Sequence, residues 1–162
     1  QGELADNFSA TLEYSDKALE QFFKSLKIAE EIGDKQSIAN TFNCIGNSYR
    51  ALEEYNKAID YLKDFSSNAK QVQAVAYGSI GDAYSELKKN DEAIEFYKKA
   101  GTHFPEDEAI SSEYLFRAAS FLELNGKNDA ALEIYKQIKK NYPKSEKGFS
   151  IDKYINRLQV QP

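Results

Sequence analysis

The chain repeats its own pattern at a nearly fixed interval. Small and aromatic positions return at one common spacing: Gly46 as Gly81, Tyr49 as Tyr84, and Ala58 as Ala93. A weaker third copy follows at a slightly longer spacing, where Ala93 returns as Ala131 and Pro105 as Pro143. An interval of about 34 residues that holds two helical patterns is typical of a helical solenoid, in which each unit packs only on its neighbours.

Apolar residues three and four positions apart predict helices in pairs. The pairs are expected at 35–52 with 55–68, 71–88 with 90–101, and 108–125 with 128–141. Residues 2–13 are expected to form the first helix of an opening pair. Gly33 is expected to end the second helix of that pair, and Asp34 can cap the helix that follows. The last amphipathic helix is expected at about 145–159, where it would cover the end of the stack.

The predicted fold is therefore all-α, a right-handed α-solenoid of about four helix-turn-helix pairs plus a C-terminal capping helix. Residues 1–162 form one domain in this interpretation. Its repeats are expected at 2–34, 35–69, 71–107 and 108–144, with the capping helix at 145–160.

The repeated pattern resembles the tetratricopeptide repeat: an aromatic residue, Gly or Ala, Tyr, Ala, a second aromatic residue and Pro. Residues 39–68 and 74–107 match it closely, and 112–145 match it in their second half. Residues 25–35 look like the longer kinesin-light-chain type of repeat. The C-terminal part, in 76–100, 134–145 and 151–155, resembles small bacterial tetratricopeptide proteins that one N-terminal transmembrane helix holds at the cell envelope. This second likeness implies an upstream anchor and an envelope-side scaffold or chaperone-accessory role, and the tetratricopeptide pattern itself implies a protein-binding module.

Composition argues against several other classes of protein. The net charge is −5 with the signs interspersed, which does not suit a nucleic-acid backbone. No apolar run approaches the length that a membrane-spanning helix needs, so this segment is not expected to insert into a membrane. Cys44 and His103 are the single cysteine and the single histidine, and they lie far apart in the sequence. They suggest neither a catalytic pair nor a metal cluster, so we expect no enzyme activity and no cofactor.

The concave face of such a solenoid is lined by the first helix of each pair. Amide side chains there can both donate to and accept from a peptide backbone, and an aromatic ring can anchor an apolar side chain. The candidate partner-binding residues on this face are Asn40, Asn43, Asn47, Arg50, Asp82, Phe116 and Arg117.

The sequence favours a non-catalytic scaffold that holds a protein or peptide segment in this groove. One version is an accessory protein of the cell envelope, with its anchor upstream of a chain that begins with Gln1 and not with methionine. The alternatives are a sensor or regulatory domain of a larger signalling protein and a self-assembling module, so a homo-oligomer stays open. The compartment, envelope or cytoplasm, also stays open.

Overall fold

The computed structural model of the chain describes residues 2–34, 37, 38, 41, 44, 45, 54–64 and 69–160. Side chains are described from residue 17 onward, apart from that of Tyr61. Within these residues all regular secondary structure is α-helical. The helices are α1 (Gly2–Ile32), α2 (Tyr55–Asp64), α3 (Lys70–Glu86), α4 (Asn90–His103), α5 (Glu108–Leu124), α6 (Asn128–Asn141) and α7 (Glu146–Val160).

The helix bounds agree with the sequence from α3 to α7, where each end lies within two residues of its predicted position. The start of the chain is different. The sequence predicts a helix pair within 2–34, but α1 is one continuous helix of 31 residues. Neither glycine nor proline occurs between positions 3 and 32, so nothing in this segment interrupts the backbone hydrogen bonds.

The end of α1 follows the predicted chemistry. Gly33 has a φ of +71°, a left-handed conformation that glycine adopts without steric cost. The Asp34 amide then donates to the Ala29 carbonyl at 3.0 Å, which closes the last turn. The Asp34 carboxylate accepts a hydrogen bond from the Ser37 amide at 3.2 Å, so it caps the next helical segment.

Successive helices from α2 to α7 pack one on the next, as in a stack of helix pairs. The first helices of neighbouring pairs also touch, α3 against α5 and α5 against α7. Across the described residues, the backbone of α2 does not come close to that of α4, nor does the backbone of α4 come close to that of α6. The first helices therefore lie on the inside of the curve, and the face that they share is the concave one. The predicted all-α solenoid is confirmed.

The core runs along the stack in two clusters. The first joins α1, α2 and α3 through buried side chains that include Leu26, Ile59 and Ile80. The second joins α4 to α7 around side chains that include Tyr135 and Ile151. Tyr84 packs against both clusters, so apolar contact continues from one to the other.

Close approach within a helix pair depends on a missing side chain. A Cβ atom built on Gly81 of α3 would lie 2.7 Å from the ring of Tyr97 on α4. Tyr97 is buried. In the next unit the position of Gly81 is taken by Ala119 of α5, which is also a small residue and buried. The ring therefore packs directly on the α3 backbone, and the distance between α3 and α4 is set there.

This contact predicts a large effect of Gly81→Val. The new side chain would push against a ring that cannot turn into solvent, and overpacking of this kind costs about 1–3 kcal/mol, more than the gain in helix propensity. We expect a lower urea midpoint at an unchanged slope. Ser79→Val on the same helix is the control, because among the described residues the Ser79 hydroxyl donates to the Val75 carbonyl of its own helix and to no other helix. Equal effects of the two substitutions would contradict the interpretation.

Candidate functional site

The concave face formed by α3, α5 and α7 holds three of the predicted binding residues. Asp82 lies on α3, and Phe116 and Arg117 lie on α5; all three are half-buried. The other four predicted residues lie outside the described residues: Asn40, Asn43, Asn47 and Arg50. The site can therefore be built in detail for the C-terminal half of the face.

Asp82 is the centre of a contact that joins three helices. The hydroxyl of Tyr97 on α4 donates to Asp82 Oδ1 at 2.7 Å, and Nη1 of Arg117 on α5 donates to the same oxygen at 3.1 Å. Arg117 Nε donates in turn to Glu113 at 3.0 Å. The sequence placed Asp82 and Arg117 on this face as partner-binding residues; in the structure they bind each other.

The same type of contact occurs one unit later around Glu123. The hydroxyl of Tyr135 on α6 donates to Glu123 Oε1 at 2.6 Å. Nη2 of Arg157 on α7 lies 2.7 Å from each of the two carboxylate oxygens. We call these two arrangements the Tyr–carboxylate–Arg contacts. Each ties the two helices of a pair to the first helix of the next element.

The two contacts use different positions for the carboxylate. Tyr97 and Tyr135 have the same spacing as Ala93 and Ala131, so they occupy the same position in successive units. At that spacing Asp82 corresponds to Ser120, and Glu123 corresponds to Ser85. In the unit of Tyr97 the carboxylate Asp82 comes first and Ser85 second. In the unit of Tyr135 the order is reversed, with Ser120 first and the carboxylate Glu123 second.

The buried tyrosines hold their protons strongly. Burial raises the pKa of Tyr97, and the charge of Asp82 raises it further because a phenolate there would be repelled. Burial also raises the pKa of Tyr135, and the hydrogen bond to Glu123 adds to the effect. Both tyrosines are therefore hydrogen-bond donors under ordinary conditions.

Arg117 is held between an aromatic ring and two carboxylates. Burial lowers its pKa, but the charge of Asp82 and the hydrogen bond to Glu113 outweigh burial, so its pKa is raised. The guanidinium carbon also lies 5.2 Å from the centre of the Tyr114 ring, a cation–π distance. Burial raises the pKa of Tyr114 to about 12, although the charge of Arg117 acts against it.

The face is closed in one unit and open in the next. Between α3 and α5 the Tyr114 ring lies directly on Gly78, with no space for a Cβ atom. The residue that corresponds to Gly78 in the next unit is Phe116, again at the spacing of Ala93 and Ala131. Its ring meets Tyr154 of α7 edge-on at a centroid distance of 4.8 Å. A bulky ring therefore stands where the previous unit has only backbone.

A cleft of about 430 Å³ opens beside this aromatic pair. We call it the α5–α7 cleft; its lining residues are Phe116, Ser120, Glu123, Leu124, Tyr135, Tyr154 and Arg157. Leu124 on the rim is 78% exposed and adds an aliphatic side chain to the aromatic walls. The cleft thus combines apolar walls with the exposed side of a Tyr–carboxylate–Arg contact.

The sequence predicts Phe116 for this face but not Glu123, Tyr154 or Arg157. Tyr154 and Arg157 lie within residues 145–160, which the sequence predicts to be a cap, and Glu123 lies on α5 outside the candidate positions. A signal was present, since Tyr114 and Arg117 return with the same mutual spacing as Tyr154 and Arg157. This recurrence indicates that α7 continues the series of first helices.

The described residues include no group of three or more His, Cys, Asp or Glu side chains that could hold a metal ion. Cys44 lies in a helical segment and is half-buried. None of the described helices is long and apolar enough to cross a bilayer.

Comparison with known proteins gives one family match over most of the chain. The sequence model of the soluble NSF attachment protein (SNAP) family matches residues 5–147. Response regulator aspartate phosphatase I of Bacillus subtilis (strain 168) is 44% identical over 59 residues, which are 36% of this chain and 15% of that protein.

A solved structure shares the architecture. BtubC (BKLC) from P. vanneervenii has a TM-score of 0.61 over 89% of this chain and 65% of that chain, at 13% sequence identity. At this identity the likeness shows the fold alone. The chain spans less than two thirds of the length of both proteins.

The contact at Glu123 predicts the effect of Tyr135→Phe. The substitution removes the donated proton and keeps the ring, so the loss should be that of a hydrogen bond to a charged group, about 1.5–3 kcal/mol of unfolding free energy. Tyr142→Phe is the control, because Tyr142 is buried but its hydroxyl donates to none of the described residues. If both variants unfold at the same urea concentration, the contact does not hold the units together.

The raised pKa values predict a loss of stability in alkali. Tyr97, Tyr114 and Tyr135 keep their protons in the folded chain above about pH 10, where an unfolded tyrosine releases its proton. Since the folded state then binds more protons, the free energy of unfolding falls as the pH rises above about 10.

Tyrosinate absorbance should therefore show two classes among the eleven tyrosines, one of which ionises only on unfolding. In the Tyr97→Phe/Tyr135→Phe double variant the fall with pH should be shallower. A single titration near pH 10 for all the tyrosines of the folded chain would disprove the assignment.

Proposed function

The chain belongs to the soluble NSF attachment protein family, and we propose that it is a non-catalytic scaffold that holds a peptide segment of a partner protein on its concave face. We further propose that its units are of the tetratricopeptide type, with the bounds expected from the sequence for 35–69, 71–107 and 108–144. The family name denotes an attachment protein, which agrees with a binding role.

The observation that carries this proposal is the α5–α7 cleft. It is open, it lies on the concave face, and its walls combine the rings of Phe116 and Tyr154 with the exposed Leu124. An aromatic and aliphatic surface of this kind loses unfavourable contact with water when an apolar side chain enters. Phe116 is therefore proposed as the anchor of the binding surface.

Asp82 and Arg117 receive a different proposed role. Because each already has a charged partner in the chain, they would set the distance between α3 and α5 and would contact a ligand only through their exposed parts. The amide row of Asn40, Asn43 and Asn47 with Arg50 continues the proposed surface toward the N-terminal half of the face. This part remains a prediction from the sequence.

A second candidate function is that of a regulatory module in a signalling protein. The match to response regulator aspartate phosphatase I favours it, and this chain covers only 15% of that protein. A gene that encodes this repeat region together with an output domain would support the regulatory role. A gene without one would favour the scaffold.

The cleft predicts that Leu124→Glu impairs binding without affecting stability. Selection of displayed random peptides on the wild-type chain supplies the ligands. Since a carboxylate on the rim would have to be desolvated against the apolar part of a ligand, we expect at least about tenfold weaker binding. The thermal midpoint should not change, because the Leu124 side chain is mostly in solvent.

Phe149→Glu is the matched control. Phe149 is 79% exposed, lies on α7 and does not line the α5–α7 cleft. It should bind the selected peptides as the wild type does. If the enriched peptides bind equally well to the wild type, to Leu124→Glu and to Phe149→Glu, the binding surface lies elsewhere. If the selection yields no enriched peptides, this counts against a peptide-binding function.

A further inference from the structure

Positive charge surrounds the α5–α7 cleft in a chain whose net charge is −5. Lys147 Nζ lies 4.6 Å from the centre of the Phe116 ring. Lys153 Nζ lies 5.0 Å from the centre of the Tyr154 ring, and the guanidinium carbon of Arg157 lies 5.3 Å from the same centre. Three cations on α7 thus lie around two rings that touch each other.

The carboxylates near the cleft pair with its cations, and two of these cations, Lys147 and Arg157, keep further donors. Glu123 accepts from both Tyr135 and Arg157. Glu113 accepts from Arg117 and pairs with Lys147 at a longer 3.5 Å. The bonds of Arg157 to described residues use Nη2 alone, so its other guanidinium nitrogens can donate to an incoming oxygen. These spare donors, together with the ammonium group of Lys153 beside the Tyr154 ring, can bind an anionic group of a ligand.

The dimensions of the cleft admit a bulky side chain and not a whole helix. A helix about 10 Å wide and about 15 Å long occupies roughly 1,200 Å³, and the cleft offers about 430 Å³. An extended segment can place one bulky side chain in the cleft while its backbone stays on the rim, because successive side chains point to opposite sides.

The positions of the cations give a spacing. Lys147 and Arg157 are ten positions apart on α7, which corresponds to about 15 Å along the helix axis. An extended chain covers this distance in about four or five residues at roughly 3.3 Å each. Two carboxylates at that interval could reach both cations while an apolar side chain between them meets the rings.

On the basis of the proposed binding function, we infer that the α5–α7 cleft recognises an extended acidic peptide segment of a partner protein. The segment carries a large apolar side chain between two Asp or Glu residues that are four or five positions apart. The apolar side chain contacts Phe116 and Tyr154, and the two carboxylates pair with Lys147 and Arg157.

The test uses fluorescein-labelled peptides of about ten residues, made of Ser and Thr with one central Phe and two Glu. Binding to the 162-residue chain is measured by fluorescence anisotropy. The peptide with Glu residues four or five positions apart should bind roughly tenfold or more tightly than its Gln version, because charge-assisted hydrogen bonds are lost. Peptides with adjacent Glu residues, or with Lys in place of Glu, should also bind more weakly, and salt should weaken the best peptide.

Variants of the chain locate the site. Lys147→Gln should weaken the spaced Glu peptide roughly fivefold or more and leave the Gln peptide unchanged. Lys136→Gln is the control, with the same change of charge at an exposed position of α6 that does not line the cleft. Amide chemical shifts of α5 and α7 should change on binding, with smaller changes in α1.

The outcomes separate this inference from the proposed function. Equal binding of the Glu and Gln peptides, or equal effects of Lys147→Gln and Lys136→Gln, would overturn the acidic ligand. If the designed peptides fail while selected peptides still depend on Leu124, the scaffold stands and this ligand class is wrong. If neither kind of peptide binds, both proposals fail.

Discussion

The stack depends on a carboxylate that lies between a tyrosine of one helix pair and an arginine of the next element. Asp82 and Glu123 have this position, and each accepts hydrogen bonds from both sides. A half-buried carboxylate is costly unless it is paired, so each contact is favourable only when three helices are in place. The contact therefore couples neighbouring units of a fold that otherwise relies on nearest-neighbour packing.

The two contacts give neighbouring units the same frame, although the concave face is closed between α3 and α5 and open between α5 and α7. The tyrosine, carboxylate and arginine join the same set of helices in both units. Within that frame, the difference between Gly78 and Phe116 decides whether the tyrosine of the next first helix lies on backbone or stands away from it. The Phe116 ring thus forms a wall of the α5–α7 cleft at a position where the packed unit has only backbone.

Local signals in the sequence were sufficient for most helix bounds, because apolar spacing and the residues at helix ends act over a few positions. The continuous α1 was missed because the repeat was assumed to extend to the start of the chain. Asp82 and Arg117 could be assigned to the concave face, but their mutual contact depends on how closely α3 and α5 approach. That distance comes from the curvature of the stack and from packing such as the Tyr97 ring on Gly81, which spacing alone does not encode.

The preceding unit lacks the parts of this contact. At the spacing of Gly46 and Gly81, Leu62 stands in place of Tyr97, and it is buried without a hydroxyl to donate. At the spacing of Ala93 and Ala131, Ser79 of α3 stands in place of the arginine Arg117. Coupling by this contact is therefore concentrated in α3 to α7, the part that holds the α5–α7 cleft. A cleft on a well-coupled part of the stack loses little conformational freedom when a ligand enters, so more of the contact energy remains for affinity.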